Sequence, residues 1–383
     1  MRRRRIQIVS VMAALVGNCS SLAAPRVPTS DGEVLERVPD GARQARALGR
    51  MPAAFAGQPG EAARLAQAYV ELARATGDPR YVGRAQLVLA PWWNLELPPP
   101  DVLLLRAVLR QWHHQFGAAL RDLERMVALR PGDGQAWLIL ASVEQVIGEY
   151  DAAGRSCARV SESLPRLVGT TCAASIASLT GGLARARRAL ASALEAEAAP
   201  SRSVEAWSRT ALAEMALRAG DAASAEREFR RALLLSRDPY TLAALADLLL
   251  DGGRTREVLD LLRGCTADGL LLRLAEAEAA VGAATLPLHL ADLRDRFASA
   301  RVRGDSVHLR EEARFALRLE HDAMRALRLA RENWSVQREL ADSYLLVEAA
   351  RAAGDRGAAA PVFEFIRRHG TEDAALRALE ARR

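Results

Sequence analysis

The chain has 383 residues, half of them hydrophobic, which is long enough for two or three ordinary domains or one extended repeat array. Only 5% are aromatic while Ala and Leu dominate, a composition that argues against a β-rich fold and for helices packed through small residues. The formal net charge is +6, all 53 basic residues are Arg, and both signs are interspersed, so no basic block of the kind that binds nucleic acid stands out.

The chain opens on a basic run, Arg2 to Arg5, followed by an apolar run, Ile6 to Val16, that is too short to span a bilayer. Ser21-Leu22-Ala23 then offers small residues at the two cleavage positions. Residues 1–23 therefore predict a secretory signal peptide cleaved near Ala23, and a periplasmic or otherwise exported protein. A second reading makes Cys19 a lipid-anchored cysteine, although Asn18 fits poorly before it. Four Arg and no acidic residue leave with the leader, so the net charge falls from +6 to +2. No later stretch approaches ~20 uninterrupted apolar residues, and no membrane span is expected.

Residues 24–58 are rich in Pro, Gly and Arg and predict a poorly ordered leading segment, with a short helix around Gly32 to Val38. Helical spacing begins near Glu61 and turns at Gly77-Asp78-Pro79. Pro91-Trp92-Trp93 interrupts it, and Pro98-Pro99-Pro100 stiffens the connection. From Asp101 onward the pattern repeats. Pro131 to Pro165 and Ala119 to Ala153 are each 34 residues, and Ala153 to Ala186, Ala225 to Val258 and Ala326 to Ala359 are each 33. Ala186 to Ala225 is longer, and the unit from Gly269 to about Gly304 is irregular, with Pro287 in its second helix. Gly148, Gly220, Gly253 and Gly354 fall at equivalent turns, where a left-handed residue ends a helix. Gly181-Gly182 is also a repeat turn. Phe229 and Phe363 each lie four residues after a close-packed Ala.

A period of 33–34 residues with small residues at the crossings resembles the tetratricopeptide repeat family. The prediction is an all-α protein: a right-handed α-solenoid of about nine helix hairpins over residues 59–370, closed by a charged capping helix within 371–383. Three phrases narrow the resemblance to predicted exported bacterial repeat proteins of unassigned activity. They are Leu89-Ala90-Pro91-Trp92-Trp93, Cys157 with Thr171-Cys172, and Asn333-Trp334-Ser335-Val336-Gln337-Arg338-Glu339. Relatives often carry Pro where this chain has Leu340, which predicts a helix that starts before that position. The resemblance brings no catalytic residues.

The residues themselves point to no enzyme. The histidines, His113, His114, His289, His308, His321 and His369, lack metal-ligand spacing and read as turn and surface imidazoles. No phosphate loop and no nucleophile elbow is present, so no cofactor, metal or catalytic residue is assigned. Cys157 and Cys172 fall on neighbouring antiparallel helices. Two readings stand: a disulfide formed in an oxidising compartment, or two small buried hydrophobes. Cys265 is left over between repeats. Trp92 and Trp93 either plug the first junction or form an exposed anchor.

Stacked helix hairpins bind through the inner surface lined by their first helices. Counting from the turns, the inward candidates are Gln111, Gln145, Glu214, Arg218, Tyr240, Asp247, Arg318, Tyr344, Glu348 and Arg351. Their mixed signs point to a peptide or protein partner and away from nucleic acid. The expected function is a non-enzymatic scaffold; the alternative is an assembly factor of a cell-envelope complex that docks through its edge or ends.

Overall fold

A computed structural model describes residues 58–76, 78, 80–302 and 307–381. The expected signal peptide, Cys19 and all of the leading segment but Gln58 lie outside these residues, as do Gly77, Pro79 and Gly304. Every regular element among the described residues is a helix. They pair in chain order into nine hairpins, each with a first and a second helix. These are α1 (Pro59–Thr76) with α2 (Arg80–Val88), α4 (Pro100–Trp112) with α5 (Phe116–Leu129), and α6 (Gly134–Val146) with α7 (Tyr150–Ser163). Then come α8 (Arg166–Ala177) with α9 (Leu183–Ala196), α10 (Arg202–Arg218) with α11 (Ala222–Leu235), and α12 (Pro239–Asp251) with α13 (Thr255–Leu261). The last three pairs are α14 (Asp268–Val281) with α15 (Leu286–Val302), α16 (Leu309–Arg318) with α17 (Ala323–Val336), and α18 (Leu340–Ala352) with α19 (Ala360–His369). The short α3 (Ala90–Trp93) lies between the first two hairpins, and α20 (Ala374–Ala381) follows the ninth.

The repeat phase read from the spacing is the packing phase. Ala119, Ala153, Ala186, Ala225, Val258, Ala326 and Ala359 are all between 0% and 4% exposed. A small side chain there lets two helix axes approach closely, and the larger Phe229 and Phe363 fill the space one turn on. Within six of the hairpins the first helix ends on a glycine at positive φ: Gly148, Gly181, Gly220, Gly253, Gly282 and Gly354. Two hairpins put a histidine there instead, His114 at φ 54° and His321 at φ 55°. Histidine is among the few side chains that enter the left-handed region at modest cost.

Two boundaries differ from the expectation. The helix expected to begin before Leu340 begins at that residue. Glu339 donates its backbone N–H to Asp342 Oδ2 over 2.8 Å, a capping box that fixes the start. The last helix starts at Ala374, not Thr371, because Asp373 Oδ1 accepts the Leu376 N–H at 2.9 Å and caps it there.

The path of the stack closes on itself. α1 comes against α12, five hairpins on. The ninth hairpin and α20 lie against the turns of hairpins 3, 4 and 5. The Arg338 N–H donates to Val146 O at 2.7 Å, and the Thr371 hydroxyl donates to Leu179 O at 2.7 Å. The Leu183 N–H donates to Glu372 Oε1 at 3.2 Å. One apolar cluster therefore joins residues far apart in sequence, with Tyr150, Cys157, Val168 and Leu179 on one side and Trp334, Leu346, Phe365 and Leu376 on the other. A second superhelical turn sits directly on the first.

This packing sets the cost of two changes. A Cβ at Gly148 would meet Phe365 Cζ at 2.7 Å, whereas one at Gly253 meets nothing within 4 Å, and both residues have positive φ. Gly253→Ala should cost about 1–2 kcal/mol from the left-handed strain, and Gly148→Ala about 1–3 kcal/mol beyond that from overpacking, read from urea midpoints. Cys157 and Cys172 form a disulfide, with Cα atoms 5.5 Å apart and a sequence separation of 15. Reducing it should lower the unfolding free energy by about 3 kcal/mol in the same measurement.

Candidate functional site

The first helices of successive hairpins form an inner wall, and their polar residues bond from one repeat to the next. Buried hydroxyls do so first. Thr171 Oγ1 lies 2.8 Å from Ser208 Oγ, and Thr210 Oγ1 lies 2.9 Å from Thr241 Oγ1. Further along, charges take over. Arg273 donates two hydrogen bonds to Asp247, at 2.8 and 2.6 Å. Arg314 reaches the same carboxylate at 2.7 Å and Glu276 at 2.6 Å. Arg318 donates to Glu348 at 2.6 Å. Arg310 donates to Asp342 at 2.6 Å and also to Glu339. Most of these partners are 26 to 32 positions apart, close to one repeat, so the pairs form a ladder up the wall.

Electrostatics on the wall is set by competition between burial and neighbours. Burial alone would push the Asp247 carboxyl up, but Arg314 and Arg273 outweigh it and hold the group below the usual carboxylate range. Burial likewise works against the Arg310 and Arg314 charges, and their carboxylate partners reverse that effect, raising both well above the ordinary guanidinium value. Glu214 is pushed up, chiefly by burial, and accepts a hydrogen bond from the Tyr240 hydroxyl. The Glu214 charge in turn raises the Tyr240 hydroxyl well above its ordinary value, with burial adding to it. Yet Tyr240 is 58% exposed.

The expected binding residues separate into two sets. The first is committed to the fold. Arg218, expected on the open face, is only 6% exposed and donates to Ser178 Oγ at 2.6 Å and Ser178 O at 3.2 Å. Its guanidinium is held at the end of α8, in the preceding repeat, so it does not face a groove. Trp92 is 8% exposed within the first core cluster, and Trp93 packs at its margin under the Arg110 guanidinium, 5.8 Å from the ring centroid. Both therefore line the junction of hairpins 1 and 2 and present no free anchor. Gln111 is half-buried and donates to Ser142 at 3.3 Å, and Gln145 is half-buried on α6. Tyr344 donates to Asp373 of the terminal segment.

The second set stays open. Arg318, Glu348 and Arg351 stand at or near the C-terminal ends of α16 and α18, exposed except for the half-buried Glu348, and are joined by Asp251 at the end of α12, an exposed residue that the spacing does not single out. Burial raises the Asp251 carboxyl, Asp247 adds to that, and Arg318 opposes both. Asp251, Arg318 and Glu348 sense one another and, with Arg351, form a mixed-charge rim at that end of the wall, while Tyr240 stands at the opposite, N-terminal end of α12.

Three structural roles escaped the sequence reading. Arg106 and Asp122 are 2% and 1% exposed and joined by hydrogen bonds of 2.9 and 2.8 Å. Arg106 also donates to the carbonyls of Trp93 and Leu95, both at 2.7 Å, and so pins the linker that carries the tryptophans. The signal was an Arg inside the apolar run Leu103-Leu104-Leu105-Arg106-Ala107-Val108. The third role is that of Asn333, which donates to Asp342 at 2.7 Å and accepts from Gln337 at 3.1 Å. The phrase Asn333 to Glu339 is thus the buried joint between hairpins 8 and 9. Among the described residues no group of three His, Cys, Asp or Glu side chains is arranged to hold a metal ion. Cys265 is free and partly buried, and burial pushes its thiol up.

No family model matches the sequence, and no curated protein matches it. Solved structures do. The Cut9–Hcn1 hetero-tetramer of APC/C matches with a TM-score of 0.52 at 11% identity, over 89% of this chain and 66% of that chain. A thermophilic tetratricopeptide repeat protein of Thermus thermophilus matches with a TM-score of 0.38 at 24% identity, over 53% and 100%. PilW, a type IV pilus biogenesis factor, matches with a TM-score of 0.40 at 16% identity, over 52% and 94%.

The ladder makes a testable prediction. Asp247→Asn should cost about 1–2 kcal/mol at pH 7, because it leaves two guanidinium groups sharing a neutral partner on a half-buried wall. Since the folded carboxyl titrates low, its contribution is present above the ordinary value near ~4 and is lost as pH falls through the folded value. The gap between wild type and variant in urea melts should therefore close in acid.

With an inner wall of first helices, small-residue crossings at a 33–34 residue period and left-handed turns between paired helices, the chain has the tetratricopeptide repeat fold: an all-α solenoid.

Proposed function

We propose that this chain is a non-enzymatic, exported scaffold that holds a peptide or a segment of a partner protein at the rim of the inner wall. The observation that carries the reading is the contrast within the wall. Most first-helix polar groups are committed to the next repeat, while Asp251, Arg318 and Arg351 keep solvent-facing surface at the C-terminal ends of the first helices. A rim of both signs suits a polypeptide, whose mixed side chains it can meet, and offers no continuous basic track for a nucleic acid. Export is supported by the leader-like pattern of residues 1–23 and by the Cys157–Cys172 disulfide, a bond that persists in oxidising compartments. Among the described residues no helix is long and apolar enough to cross a membrane.

A second reading, docking through an end of the stack, is favoured by one feature. Leu87, Leu95 and Leu97 are exposed close together in sequence beside the first hairpin. Crosslinking and pull-down from a native envelope fraction separates the two. Arg318→Glu with Arg351→Glu should reduce recovery of the bound protein at least tenfold if the rim holds it. Unchanged recovery in that variant, with loss in Leu87→Glu/Leu97→Glu, would overturn the rim in favour of the end.

A further inference from the structure

The seam between the two superhelical turns carries two histidines in settings that favour the neutral ring. His369, at the end of α19, lies between Tyr150 and Phe365, with ring centroids 4.8 and 4.6 Å away. His114, in the turn of hairpin 2, stacks on Phe116 at 5.3 Å and lines a cleft against Ser335, Val336 and Arg338 of the segment entering hairpin 9. His114 Nδ1 is buried without a hydrogen-bond partner among the described residues, and so is Nε2 of the adjacent His113. A ring that can place no proton on an acceptor gains nothing from becoming charged.

We propose that this seam is an acid-released latch: protonation of His114 and His369 frees hairpin 9 and α20 from the turns of hairpins 2 to 5. Charges reach each ring from every packed element. His369 faces Glu149 and Asp151 on hairpin 3, Arg338 before α18 and Arg368 on its own helix, while Glu380 of α20 is taken by Arg367. His114 faces Arg310, Glu311 and His308 from hairpin 8, Glu339 from the start of hairpin 9, and Glu149 across the cleft. At both rings burial is the largest influence and lowers the imidazole below its ordinary value, ahead of the nearby carboxylates. The open state therefore binds protons more readily than the closed one, so closure is complete above about pH 6.5 and weakens as the pH falls below it.

Few hydrogen bonds cross the seam among the described residues: Arg338 N–H to Val146 O, the Thr371 hydroxyl to Leu179 O, and the Leu183 N–H to Glu372. The bond from the Tyr344 hydroxyl to Asp373 lies within the released part and is retained. Release bares the turns of hairpins 3 to 5, with their glycines at positive φ, and lengthens the molecule. The latch is independent of what the rim binds, and its test needs no partner.

Hydrogen exchange of the full chain at pH 7.5 and 5.5, corrected for intrinsic rates, reads the seam directly. Residues 338–376 should lose protection at least tenfold more than residues 239–261 on acidification. His114→Asn with His369→Phe should abolish that difference; Asn tolerates the left-handed turn, and neither replacement titrates. The exposed His321→Asn should leave it unchanged. Equal losses in the two segments of the wild type would overturn the proposal, as would a difference that survives in the double variant. Radius of gyration by X-ray scattering gives a second readout: it should rise in acid for the wild type, and a constant value would overturn the proposal.

Discussion

A side chain at position 148 would collide with a residue more than two hundred positions away. That single steric fact organises the molecule. Gly148 ends a first helix in the left-handed region, and its missing Cβ leaves the space that Phe365 enters from the ninth hairpin. Gly370 and Ala374 come up in the same way to the turn glycines Gly181 and Gly220, there at distances that would leave room for a Cβ. The glycines needed locally to turn one helix into the next also present a bare backbone edge, and the later hairpins rest on that edge. Local turn chemistry and long-range closure use the same atoms.

The inner wall also puts one set of groups to two uses. A repeat stack has no contacts between distant units unless it curls, so its stability comes from neighbour to neighbour. Here the neighbour contacts on the wall are polar: hydroxyl pairs in hairpins 4 to 6, then charge pairs in hairpins 6 to 9. Charged groups in a surrounded space are costly unless paired, which explains why Asp247 meets two arginines and Arg310 two carboxylates. The positions a partner can use are those left over at the helix ends. The functional reading therefore rests on the rim, with the paired wall behind it.

Closure also gives the chain a way to change shape. The seam holds aromatic rings, two half-buried imidazoles and few hydrogen bonds, and each hairpin beyond it is held by its own neighbours. A stack joined in this way can open at the seam while the earlier hairpins stay folded, and the released terminal hairpin, having lost that contact, frays. The disulfide lies on the first-turn side of the same cluster, tying α7 to α8, so the edge that hairpin 9 leaves would stay intact.

Much of this was legible in the chain itself. The period, the buried Ala and Phe positions, the turn glycines and the pairing of helices follow from contacts within one repeat, and such contacts leave a periodic trace. The same counting finds the inner-face positions, yet it does not give their state. Arg218 sits at an inner-face spacing and is buried on Ser178; Trp92 and Trp93 sit in a proline-bounded linker that Arg106 pins through the Trp93 and Leu95 carbonyls. α18 starts at Leu340 without a proline there, because the capping box with Asp342 fixes a helix start as a proline would. Closure left no periodic signal at all. It depends on how small rotations between hairpins add up over five or six units, and each rotation is set by side-chain volumes at one crossing. The sequence alone determined the repeat and its phase; only the tertiary structure decided which wall residues remain free and that the ninth hairpin rests on the turns of hairpins 3 to 5, because those are sums over the whole stack.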